Sequence, residues 1–124
     1  MLPPDIAQFV VDTVDSVAEL EALLLLRSHA ERKWTPQEVS GRLYLSDEDA
    51  FEILVALSTK GLAFYKASGT GSYQYRPGLP EIGRMVDRLS QIYSKQIVAI
   101  ANLIHSQART KTPRKKTSEA RSQR

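Results

Sequence analysis

The chain has no cysteine. That excludes a disulfide framework, a thiolate metal site and a cysteine nucleophile. Its two histidines, His29 and His105, lie far apart and in no HxxxH or HExxH spacing. A zinc ligand set is therefore missing, and neither metal nor cofactor is expected. No Gly-rich phosphate loop, dinucleotide fingerprint or GxSxG elbow occurs, so no enzyme is expected. Uninterrupted apolar runs are no longer than that from Ala22 to Leu26. A bilayer span needs about 20 apolar residues, so no membrane association is expected. The start, Met1-Leu2-Pro3-Pro4-Asp5, lacks the basic and apolar regions of a signal peptide. Together these absences predict a cytoplasmic protein.

Acidic charge is scarce in one place only. Residues 1–108 carry 10 Lys and Arg against 13 Asp and Glu, a balance of −3. Residues 109–124 carry seven cations against one Glu, a balance of +6, and the two make the +3 of the chain. The high isoelectric point thus belongs to the tail, and the body is mildly acidic. The tail has no large apolar side chain to offset ordering entropy, which predicts disorder over 109–124.

Helix signals dominate what is there. Ile6, Phe9, Val10, Val14 and Val17 recur at helical spacing. Ser16 and Glu19 form a capping box that opens a Leu-rich helix to about Ser28. Thr35-Pro36-Gln37-Glu38 opens another, to about Leu43, with Pro36 at the first helical position. After Tyr44-Leu45, Ser46 caps a helix that stops at Lys60-Gly61. Two aromatic-rich segments, 62–66 and 72–76, flank Gly69-Thr70-Gly71 and predict a hairpin. Pro80-Glu81 starts a final helix predicted to run unbroken to about Gln107, with one broad apolar stripe.

Helix, helix, tight turn, helix, hairpin, helix is the order of a winged helix-turn-helix. The segment 57–62, Leu-Ser-Thr-Lys-Gly-Leu, looks like the end of a recognition helix entering a wing. The chain resembles bacterial winged-helix transcriptional regulators of the MarR-like kind over roughly residues 16–78. The resemblance implies a mainly α fold with a small β-hairpin wing. Residues 1–78 would be the N-terminal helix and winged-helix domain, 79–108 a long dimerisation helix, and 109–124 the basic tail.

The residues on the implied reading face point elsewhere. Helix 46–60 begins with Asp47, Glu48, Asp49 and Glu52. Acids in a first turn complement the helix dipole, which accounts for Asp47 and Asp49 without any partner. Against phosphates they would repel. With Ala50, Ile53, Leu54 and Leu57 in the core, Asp47, Glu48, Phe51, Glu52 and Val55 face outward. None of these is a base-reading Arg, Lys, Asn or Gln. Phe51 and Val55 would form an exposed apolar pair rimmed by acids, a pattern of protein contact. The expectation is thus a non-enzymatic, transcription-associated regulator whose acidic helix face meets a protein partner. The alternative is a conventional dimeric DNA-binding regulator using the wing, helix 46–60 and tail. For duplex DNA the candidate contacts are Arg42, Lys66, Tyr73, Arg76, Arg114, Lys115 and Lys116. For a homodimer they are Leu89, Ile92, Tyr93, Ile97, Ile100 and Ile104, and the alternative for these is packing within the chain.

Overall fold

Hydroxyl side chains start three of the helices. In the computed structural model, which describes residues 2–111, the Glu19 amide donates to Ser16 Oγ at 3.0 Å. The Asp49 amide donates to Ser46 Oγ at 2.9 Å. At Thr35 the box is reciprocal: the Glu38 amide donates to Thr35 Oγ1 at 3.2 Å and the Thr35 amide to Glu38 Oε1 at 3.0 Å. Each bond satisfies an amide that the helix itself leaves without a partner. The helices are α1 (Pro4–Thr13), α2 (Val17–Ser28), α3 (Pro36–Leu43), α4 (Asp47–Thr59), α5 (Pro80–Tyr93) and α6 (Ile97–Lys111).

Three short strands form one antiparallel sheet in the order β1 (Lys33–Trp34), β3 (Ser72–Tyr75), β2 (Ala63–Lys66). In register, Lys33 faces Gln74 and Gln74 faces Phe64. Strand β1 was not expected from the sequence, because two residues carry no period. The hairpin is tied to the end of α4. The Leu62 amide donates to the Leu57 carbonyl at 2.9 Å, and Gly61 takes a φ of +79°. That 6→1 bond over a left-handed residue is the Schellman helix stop.

Two clusters of buried side chains share α2. One gathers Leu23, Leu26, Trp34, Val39, Leu54, Leu57, Leu62 and Val86 beneath the sheet and α3–α4. The other gathers Ile6, Val10, Val14, Leu20, Leu89, Ile100 and Ile104 between α1, α5 and α6.

The second cluster corrects one expectation. The final helix is not continuous: it stops at Tyr93 and restarts at Ile97. The Lys95 and Gln96 amides both donate to the Ile92 carbonyl, at 3.0 and 2.9 Å, and close a tight turn. The sequence 94–96, Ser-Lys-Gln, is polar, but it spans only three residues. The apolar spacing from Tyr93 to Ile97 is therefore kept, and periodicity alone does not register the break. The physical gain is burial. The turn lays α6 against α1, and Ile100 and Ile104 leave water at roughly 1.5–3 kcal/mol each. An ion pair closes the same region, with Arg88 donating to both Asp5 carboxylate oxygens at 2.6 and 3.2 Å. The Arg88 hydrogen bond holds the Asp5 carboxyl below its ordinary range.

Candidate nucleic-acid interface

The turn between α3 and α4 is built by three residues. Tyr44 takes a left-handed conformation, φ +59°, which reverses the chain in one step. The Leu45 amide returns to the Ser40 carbonyl at 3.0 Å. The Ser40 hydroxyl lies 2.9 Å from the Gln37 carbonyl and 2.5 Å from Asp47 Oδ1. Having one proton, it donates to one of these acceptors at a time. Asp47 therefore has a partner within the fold, and Tyr44 stands 94% exposed beside it.

Helix α4 has two distinct faces. Ala50, Leu54 and Leu57 are buried, while Phe51 is 50% and Val55 39% exposed. The register read from the sequence holds, and Glu48 and Glu52 lie exposed on the same outward side. No cation on α4 offsets its acids. Lys60, at its end, points away: its Nζ donates to Thr13 O at 2.7 Å, Asp15 Oδ2 at 3.1 Å and Glu19 Oε2 at 2.5 Å. Glu19 is buried, and its other oxygen accepts from the Asp15 amide. This cluster clamps the end of α4 to the α1–α2 junction, and among the described residues no cation pairs with Asp47, Glu48, Asp49 or Glu52.

Two clefts border that face. One, about 320 Å³, runs between α2 and α4 and is lined by Glu19, Asp49, Glu52 and Ile53 among others. The other, about 390 Å³, lies between α3, Phe51 and the hairpin and has no charged lining. Its floor includes Gly71 at φ +89°, where an added Cβ would stand 2.7 Å from the Tyr65 hydroxyl. Only glycine fits that position.

The sheet separates the hairpin candidates. Lys66 and Arg76 share its outer face with Phe64 and Gln74, and Lys33 joins them from β1. Tyr73 lies on the opposite face, buried, tilted against Tyr65 at 5.0 Å between ring centroids. Side chains alternate along a strand, so Tyr73 cannot serve the surface that Lys66 and Arg76 serve. This corrects its assignment as a contact. Burial pushes the Tyr73 hydroxyl pKa up, and that of Tyr75 as well. Arg42 is elsewhere again. Its guanidinium lies 5.3 Å from the Trp34 ring centroid, and Arg32 covers the same ring at 3.7 Å.

Of the dimerisation candidates, Leu89, Ile100 and Ile104 are buried within the chain. Ile92 and Tyr93 are half-buried, and Tyr93 donates to Glu21 Oε2 at 3.1 Å. Ile97 remains 50% exposed beside Val98 at 71%. Arg114, Lys115 and Lys116 lie outside the described residues, as does most of the tail reading. Among the described residues, no group of three or more His, Asp or Glu could hold a metal ion, and no helix is long and apolar enough to cross a membrane.

Comparison with family models and with curated proteins finds no match. Among solved structures, the chain is similar to a homodimeric winged helix-turn-helix DNA-binding domain from Mycobacterium bovis, fragment 1–100 of a possible ArsR-family transcriptional regulator. The TM-score is 0.54 at 20% identity, covering 75% of this chain and 82% of that one. The expected fold class is therefore the observed one: a winged helix-turn-helix, α3 and α4 being its helix pair and β2–β3 its wing. The MarR-like resemblance has no counterpart in this comparison.

Proposed function

We propose that this chain is a non-enzymatic, dimeric DNA-binding transcriptional regulator. The observation that carries the reading is the fold, since its structural neighbour is named as a homodimeric DNA-binding domain. The charge distribution adds support from within the chain. Lys66 and Arg76 stand on one surface without acids among them, and the tail adds six net positive charges. Non-specific affinity for a duplex comes mainly from such cations. For the dimer, the exposed start of α6, with Ile97 and Val98 following half-buried Ile92 and Tyr93, is an available apolar surface.

The test is fluorescence anisotropy of duplex DNA with the full chain across a salt series, paired with sedimentation to give the oligomeric state. Salt-dependent binding by a dimer supports the reading. A monomer with no measurable duplex affinity at low salt overturns it. One observation favours a second reading, in which α4 meets a protein partner: Phe51 and Val55 are exposed amid Glu48 and Glu52 with no cation on that helix. Retained DNA binding by a Phe51→Ala, Glu52→Gln double variant that loses a co-purifying partner would favour it.

A further inference from the structure

We infer that the outer face of the sheet, with Lys33 added from β1, is the surface that holds the phosphate backbone of a duplex. The inference rests on the DNA-binding reading above and assigns it a location: neither the acidic start of α4 nor the tip of the wing.

Four observations converge on this face. The first is composition. The cavity here is lined by Lys33, Phe64, Lys66, Gln74, Tyr75 and Arg76, three cations and no acid. The second is pairing. Elsewhere on the body Arg27, Arg32, Lys60 and Arg88 each meet a carboxylate, at 2.5–3.6 Å, while Arg42, Arg84 and Lys95 meet none among the described residues but are not gathered on one face with other unpaired cations in a shared cavity. Lys33, Lys66 and Arg76 meet none among the described residues, so their charge is available to an anion. The third is layout. Lys33, Gln74 and Phe64 are in register across the three strands, a width of about 10 Å. Lys66 lies two residues beyond Phe64, about 7 Å along the strand. The cations are thus spread along a plane rather than converged on a point, which suits an extended polyanion. The fourth is shape. The depression is about 180 Å³, below the roughly 300–1,000 Å³ of a small-molecule site.

Two details prepare the surface. The Arg76 guanidinium sits 4.7 Å from the Phe64 ring centroid. The ring orients the cation, and the cation occupies the ring face that a nucleobase would need. That favours phosphate contact over base stacking. Gln74 Nε2 donates to the Ala30 carbonyl at 3.1 Å and pins the segment before β1 against the sheet. By contrast, the wing tip, residues 67–71, is Ala-Ser-Gly-Thr-Gly and carries no charge.

The experiment compares the full-length wild type with a Lys33→Gln, Lys66→Gln, Arg76→Gln triple variant, by duplex anisotropy over a salt series. Contributions to the salt slope add over contacts, so the tail cancels in the difference. The expected result is a slope shallower by about 2–3 in log–log terms, at about 0.9 per phosphate, with about tenfold or greater loss of affinity. A Lys33→Arg, Lys66→Arg, Arg76→Lys variant should keep the wild-type slope. Circular dichroism melting distinguishes loss of contact from loss of fold. Wild-type binding that the triple variant leaves unchanged overturns this location while the DNA-binding reading stands. No wild-type binding overturns both. Displacement of the duplex by submillimolar inorganic phosphate at matched ionic strength would make the face a small-anion site and also overturn the assignment.

Discussion

The start of α4 and the outer face of the sheet belong to one small domain and carry opposite charge. On α4, Asp47, Glu48, Asp49 and Glu52 stand without a cation. On the sheet, Lys33, Lys66 and Arg76 stand without an acid. Three of the acids have a local reason to be where they are: Asp47, Glu48 and Asp49 lie in the first turn, where the helix N-terminus favours them, and Asp47 also offers an acceptor to the Ser40 hydroxyl across the turn. The cations have no such reason. Among the described residues no carboxylate meets them, and repulsion among three like charges is tolerated on one face. A charge explained by its own helix says little about a ligand, whereas an unpaired set says more. Position in the fold therefore does not by itself identify the working surface here.

The largest expected effect sharpens the contrast between the two sides of α4. Leu54 is fully buried and Phe51 is half exposed, three residues away. Leu54→Ala should cost about 2–5 kcal/mol, from lost burial and the cavity left behind. Phe51→Ala should change stability by within about 0.5 kcal/mol. Urea melts of the two variants check this. Equal losses would mean that Phe51 is held by packing and is not free for a partner.

Next comes the clamp that holds Lys60, at the end of α4, against Asp15 and Glu19. Glu19→Ala removes a charged hydrogen bond to Lys60 and one to the Asp15 amide. Lys60 keeps Asp15 and the Thr13 carbonyl, and it is partly exposed, so the loss should be about 1.5–3 kcal/mol rather than that of a fully buried pair. The same melts measure it, and a loss below about 0.5 kcal/mol would assign the clamp no structural weight.

The comparison also marks what was legible from sequence. Caps, the Pro at the start of α3, the Gly stop of α4 and the outward set on α4 follow from local chemistry, and the structure has them. The break at 94–96 was not legible, because a three-residue turn preserves the apolar spacing it interrupts. Strand β1 was not legible, because two residues have no period, and with it went the place of Lys33 beside Gln74. Tyr73 was misassigned although β3 alternates clearly. Alternation tells which residues share a face, but which face is buried is decided by α2 and α3 packing beneath Trp34 and Tyr73. That information is tertiary.

A smaller effect tests the charge contrast directly. If the duplex lies on the sheet, the acids of α4 act on it only at a distance. Glu48→Gln with Glu52→Gln should then raise duplex affinity by about twofold to thirtyfold, in line with about 0.2–1 kcal/mol for each of two exposed charges. A gain of a hundredfold would instead put phosphates against α4 itself. Anisotropy at a single low salt concentration suffices, because screening only shrinks the effect.

The smallest effect separates the two faces of the sheet. Lys66 and Arg76 face water, while Tyr73 and Tyr75 face inward and burial raises both hydroxyl pKa values above the ordinary 10.0. A group whose folded pKa is raised contributes stability that is fully present below its unfolded pKa and lost as pH rises through the folded one. The fold should therefore weaken above about pH 10 and be indifferent to these hydroxyls at neutral pH. Tyr75 is the cleaner probe, since its buried Oη has no hydrogen-bond partner among the described residues. Removing an unsatisfied buried hydroxyl leaves no partner stranded. Tyr75→Phe should be neutral or stabilising by less than about 1 kcal/mol at pH 7, and should flatten the decline above pH 10. Melting temperatures of both proteins from pH 7 to 11 decide it. A variant that is clearly less stable at pH 7 would mean that the hydroxyl has a partner, and that the inner face is not the apolar side of the comparison.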